Sequence, residues 1–97
     1  MTATKRLLAT GIVQGVGYRA SFEAQARALK LAGWVRNRAD GSVEAVVAGS
    51  DDAVDRIIEW ARRGPSRARV DRLLVDDPDR ADGQSIEPDE FTVRPTD

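Results

Sequence analysis

Arg19 closes the run Gln14-Gly15-Val16-Gly17-Tyr18-Arg19, the one stretch of this sequence shaped to hold an anion. Two glycines two apart let backbone N–H groups converge, and a helix opening here would add the partial positive charge of its N-terminus. A phosphate-sized anion fits such a cradle. A guanidinium at its mouth can make two parallel bonds to phosphate oxygens, a geometry that lysine lacks. The same run also reads as a tight strand–helix turn with a solvated arginine. Asn37 is the second candidate, near the end of a strand and three residues before Asp40-Gly41. Its amide donates to and accepts from a water but takes up no proton as a base near neutral pH. Asparagine is also simply common at turns. The chain has no histidine and no cysteine. Disulfides, thiol catalysis, zinc-finger spacing and the commonest general base are therefore excluded.

Other patterns carry less. Gly15-Val16-Gly17-Tyr18-Arg19-Ala20 satisfies the G-x-G-x-x-G/A dinucleotide fingerprint, with Asp40 near the expected distance beyond. The segment after Asp40 reads as a hairpin rather than a crossover helix, and two helices are too few to flank a doubly wound sheet. The Gly-Lys-Ser/Thr of a P-loop is absent. Asp51-Asp52 and Asp76-Asp77 sit at a helix start and a strand end, where capping and solvation explain them. Trp34 and Trp60 are read as core residues. No aromatic pair on the first and third strands offers a base-stacking platform, so nucleic acid is not an expected partner.

The elements that must position Arg19 and Asn37 emerge from local patterns. Residues 7–13 read as a strand that ends at the glycines. Phe22, Ala26 and Leu29 then recur with helical spacing. Residues 33–38 and 42–48 are strands joined by a hairpin turn at Asp40-Gly41. Ser50 reads as the N-cap of a second helix carrying Val54, Ile57, Ile58 and Ala61 on one face, stopped by Gly64-Pro65. Residues 70–75 form a fourth strand, residues 76–90 an acidic solvated loop, and residues 90–94 a short final strand. The order predicts an α+β, ferredoxin-like βαββαβ sandwich in one domain, 1–97, with both helices on one face of a mostly antiparallel sheet. At 97 residues, 41% hydrophobic and 32% charged, the composition suits one small globule. Net charge is −1, split as seven basic and three acidic residues in 1–50 against eight and thirteen in 51–97. An anion therefore finds its site more readily in the first half. No apolar stretch approaches a signal peptide or a membrane span, so a cytoplasmic location and no membrane partner are expected.

Two long motifs in order and spacing, Gly11-Ile12-Val13-Gln14-Gly15-Val16-Gly17-Tyr18-Arg19 and Gly33-Trp34-Val35-Arg36-Asn37-Arg38-Ala39-Asp40-Gly41-Ser42-Val43, make the sequence resemble the acylphosphatase family over essentially its whole length. Gly49, Gly64-Pro65, Ala68-Arg69-Val70 and the closing Phe91-Thr92-Val93-Arg94-Pro95 resemble the family too. The resemblance implies hydrolysis of an acyl phosphate to a carboxylate and inorganic phosphate, without metal or cofactor, by a monomer. It implies that Arg19 binds phosphate, that Asn37 positions the attacking water, and that the backbone of Gln14, Gly15, Val16, Gly17 and Tyr18 cradles the phosphate oxygens. Ile12 stands where a basic residue is common, Tyr18 where Phe is usual, and Lys30 where a glycine often precedes the leucine, so the first helix must exit differently. Ala20-Ser21 is smaller than usual for the family. A non-catalytic anion-binding module is the competing expectation.

Overall fold

The computed structural model describes residues 1–81 and 86–97. Among them the elements are β1 (Thr2–Ile12), α1 (Tyr18–Ala28), β2 (Ala32–Asn37), β3 (Val43–Ser50), α2 (Asp51–Ala61), β4 (Arg69–Asp76) and β5 (Phe91–Val93). The five strands form one sheet in the order β4-β1-β3-β2-β5. Three neighbouring pairs are antiparallel, and β2–β5 is parallel. This is the ferredoxin-like arrangement expected from the element order, extended by a short edge strand. Of the acidic loop expected over residues 76–90, residues 82–85 lie outside the described residues, residue 76 completes β4, and residues 80–81 are helical.

Alternation decides which side of each strand meets the helices. Leu7 and Ala9, Val43, Ala45 and Val47, and Val35 point to one side. There they pack on Tyr18, Phe22 and Ala26 of α1 and on Ala53, Val54, Ile57 and Ala61 of α2. Tyr18, Phe22, Trp60 and Phe91 form a chain of ring contacts with centroids 5.5–6.4 Å apart. Strand β1 is longer than its apolar run suggests. Thr2 pairs with Ser50 and Lys5 with Val47, so the ladder carries polar residues into the centre of the sheet. At its far end the register shifts between Thr10 and Gly11. Gly11 adopts φ 123°, and a Cβ there would run into Arg69 O. The extra residue of this bulge is Asp71 of β4, and Val13, just beyond it on the β1 side, is buried where the glycine loop begins.

Both helix ends show how local sequence sets structure. Ser50 Oγ accepts from Ala53 N at 3.1 Å, and Asp51 and Asp52 occupy the first turn of α2, as expected of a capped N-terminus. Helix α1 ends through Lys30, whose φ is 59°. Lys30 N donates to Arg27 O and Leu31 N to Ala26 O. The closing residue of such a helix end is most often glycine, because a side chain in the left-handed region costs about 1–2 kcal/mol. Lys30→Gly is therefore expected to raise stability by about 1 kcal/mol, read as a higher urea midpoint. An unchanged or lower midpoint would show that the lysine side chain's contacts outweigh its backbone cost.

The opposite face of the sheet holds a charge cluster. Glu44, its side chain only 3% exposed, receives Arg6 Nε at 2.7 Å, Arg36 Nη2 at 2.7 Å and Arg38 Nη1 at 3.2 Å. Trp34 is buried, as expected of a core residue, but it lies on this face and not under the helices. It is 1% exposed because the guanidinium carbons of Arg36 and Arg94 sit 5.1 and 4.4 Å from its ring centroid. Burial acts to raise the Glu44 pKa, but hydrogen bonds from Arg6 and Arg36 overcome it and hold it below the ordinary value. A depressed folded pKa means that the stabilisation is present above the unfolded value of about 4.3 and is lost as pH falls through the folded one. Glu44→Gln should cost about 2–3 kcal/mol at pH 7, less than a fully buried pair because the arginines are partly solvated. It should also flatten the acid limb of stability against pH in urea titrations. A variant with the wild-type acid limb would refute this account.

Candidate active site

The site is built where β1 hands over to α1. Gly15 and Gly17 have φ of 75° and 82°, and a Cβ on either would meet nothing within 4 Å. The requirement is thus conformational: the loop takes the left-handed region at Gly15 and Gly17, a backbone pattern suited to turning N–H groups toward an anion. Gly17 is also the N-cap of α1, with no side-chain cap and no acidic residue in the first turn, unlike α2. The first helical bond is Ser21 N to Gly17 O at 2.9 Å. The N–H groups of Tyr18, Arg19 and Ala20 precede it and have no intrahelical acceptor.

These groups border a recess of about 190 Å³ lined by Val13, Gln14, Gly15, Gly17, Tyr18, Arg19, Ala20 and Asn37. The volume exceeds several times a water's share of the liquid, about 30 Å³. Arg19, in the first turn of α1, is half-buried and has no ion-pair or hydrogen-bond partner among the described residues. That contrasts with Arg6, Arg36 and Arg38, all bound to Glu44. Asn37 comes from the last position of β2, opposite Val43. Its backbone is fixed, with its carbonyl accepting from Asp97 N at 3.1 Å, but its side-chain Oδ1 is shielded from solvent and has no hydrogen-bond donor among the described residues. Unsatisfied buried acceptors are uncommon in folded proteins and call for an explanation.

The sequence-named residues fall into distinct places. Gln14, Gly15, Gly17, Tyr18, Arg19 and Asn37 meet at the recess. Val16 instead packs against the hydrophobic core. The Tyr18 side chain is an anchor. Its hydroxyl donates to Ala61 O at 2.7 Å, and burial pushes its pKa far above the ordinary value. Only the Tyr18 backbone is therefore available to an anion, while its ring fastens the start of α1 to the end of α2. Gln14 likewise spends its side-chain amide on protein, donating to Arg38 O and Ser42 O. Sequence reasoning missed Val13 as a wall of the recess, although continuing the β1 alternation from Leu7 and Ala9 points Val13 inward. It also missed Asp97, whose N–H and carbonyl bond the backbone of Asn37 and Ala39; no local pattern announces that contact.

A larger recess of about 520 Å³ lies at the other end of α1, lined by Arg27, Lys30, Leu31, Asp89, Glu90, Phe91 and Thr92. Its charges are of both signs, and Arg27 is already bound to Phe91 O and Glu23. The smaller recess joins a half-buried guanidinium with no partner among the described residues to the open helix end and the unsatisfied amide, and this combination marks the chemistry better than size does. Among the described residues no group of three or more His, Cys, Asp or Glu side chains could hold a metal ion, and no helix is long and apolar enough to cross a membrane.

Known proteins place this chain in a family. The acylphosphatase family model matches residues 5–93. An acylphosphatase of Albidiferax ferrireducens is 63% identical over 72 residues, 74% of this chain and 78% of the relative. One from Alcanivorax borkumensis is 53% identical over 74 residues, covering 76% and 80%. In three dimensions the chain resembles the crystal structure of acylphosphatase from Bacillus subtilis, with a TM-score of 0.83 and 32% identity over 97% of this chain and 99% of that one. By the family model, by its relatives in sequence and by its fold, the chain belongs to the acylphosphatase family.

Proposed function

We propose that residues 1–97 act as a single domain that hydrolyses acyl phosphates, R–CO–OPO₃²⁻ + H₂O → RCOO⁻ + H₂PO₄⁻, with Arg19 and the backbone of residues 14–18 holding the phosphoryl group and Asn37 orienting the water. One observation carries the reading: Arg19 and Asn37 line the same recess, and neither the guanidinium nor the Asn37 Oδ1 has a partner among the described residues. An anion-binding module needs the first of these groups but has no use for the second. The chemistry asks for little more. Phosphoryl transfer through a loose transition state relies on position and on charge stabilisation over the equatorial oxygens. The leaving carboxylate, whose conjugate acid has a pKa of about 4, departs without a general acid. A loose transition state demands little nucleophilicity of water, so the substrate phosphate itself takes up the proton. The whole machinery comes from one chain, so a monomer suffices, and the cysteine-free sequence fits the cytoplasm.

The deciding assay is phosphate release from benzoyl phosphate in excess chelator. Chelator-resistant turnover supports this reading. Tight phosphate binding by folded protein without turnover would support the anion-binding module instead.

A further inference from the structure

We propose that Gln14 is a positioning residue that holds Asn37 in register with the phosphate loop. The inference rests on the roles proposed for Arg19 and Asn37. Gln14 belongs to the loop after β1, yet its side-chain Nε2 donates to Arg38 O at 2.7 Å and to Ser42 O at 2.8 Å. Both hydrogens of the amide are thereby used, and the two acceptors fix which end of the amide faces the hairpin. These carbonyls close the base of the β2–β3 turn. Arg38 O already accepts from Gly41 N at 3.1 Å, and Ser42 O from Arg38 N at 2.8 Å. Gln14 fills the second acceptor site of each. Arg38 directly succeeds Asn37, so the cross-link ends one residue from the side chain that must face the recess. The turn itself is stiffened from the far side, where Asp40 Oδ1 accepts from Ser42 N at 2.9 Å and Ser42 Oγ at 2.6 Å.

Without Gln14 the loop makes no side-chain hydrogen bond to the hairpin among the described residues, and the two halves of the site, Arg19 on α1 and Asn37 on β2, are held in register by the packing of α1 on the sheet. A shift of about 1 Å in a reacting geometry can cost ~10²-fold in rate. Phosphate binding, which belongs to Arg19 and the loop backbone, should be spared.

The test uses Gln14→Met, which keeps the length and removes both donors, with Gln14→Glu as a second variant should the first fail to fold. On benzoyl phosphate we expect kcat to fall by ~10–10²-fold, with KM and the inhibition constant of inorganic phosphate within about twofold of wild type. In an Asn37→Ala background the same substitution should cost little further, because the residue it positions is gone. A readout independent of turnover is amide hydrogen exchange at Arg38 and Gly41, which should accelerate in the unliganded variant. Unchanged exchange overturns the inference whatever the activity. A loss confined to phosphate affinity would make Gln14 a phosphate ligand instead, and a lowered melting temperature with wild-type kcat would make it merely structural. A wild type unable to hydrolyse acyl phosphates would defeat the proposed function, while the exchange measurement would still decide the role of Gln14.

Discussion

Arg19→Gln should lower kcat/KM for benzoyl phosphate by ~10³-fold or more, the scale seen when a transition-state arginine is removed from phosphoryl transfer. Glutamine keeps length and hydrogen bonding but loses the charge and the two-pronged geometry that spans two equatorial oxygens. The loop and the open end of α1 remain, so inorganic phosphate should still bind, though more weakly. Fold stability should scarcely change. Arg19 has no partner among the described residues, so its removal strands no carboxylate. Near-wild-type turnover in a folded variant would show that the loop backbone alone carries the phosphate.

The second large effect is at Asn37. Asn37→Ala should reduce kcat by ~10²–10³-fold, comparable to the loss of another oriented hydrogen-bonding group in an active site. KM should stay near its wild-type value, because the phosphoryl group is held elsewhere. The melting temperature should hold or rise. Oδ1 is buried and unpartnered among the described residues, so deleting it removes an unsatisfied acceptor. Loss of activity with a gain of stability is the signature of a group kept for chemistry. If KM rose while kcat held, Asn37 would be a substrate ligand and the water would need another guide.

Local chemistry makes some of this molecule readable in advance. Ser50 with Asp51 and Asp52 marks the start of α2, Asp40-Gly41 marks the hairpin, and the two glycines before Tyr18 mark a loop that must visit the left-handed region. Each of these signals lies within a few residues of the structure it causes. Partners distant in sequence are not legible. The Gln14 amide reaches residues 24 and 28 positions away, and nothing near Gln14 says so. The burial of Trp34 is legible, but its cover is not. Alternation separates two faces of β2 without saying which face the helices take, and here two arginines close over the ring. The polar first half of β1 offers no apolar rhythm, and only its pairing with β3 makes it strand.

The strand order has a consequence for how the chain is made. Strand β1 is translated first, yet it lies between β3 and β4, and its register joins Arg6 to Val46 and to Asp76. On a ribosome adding about 5–20 residues per second, it must wait seconds for its second neighbour. Closing loops of that size before any pairing rewards them makes the search slow compared with a helical bundle of equal length. During that wait Lys5 and Arg6, set just before Leu7 and Leu8, keep a future central strand charged while it has no partner.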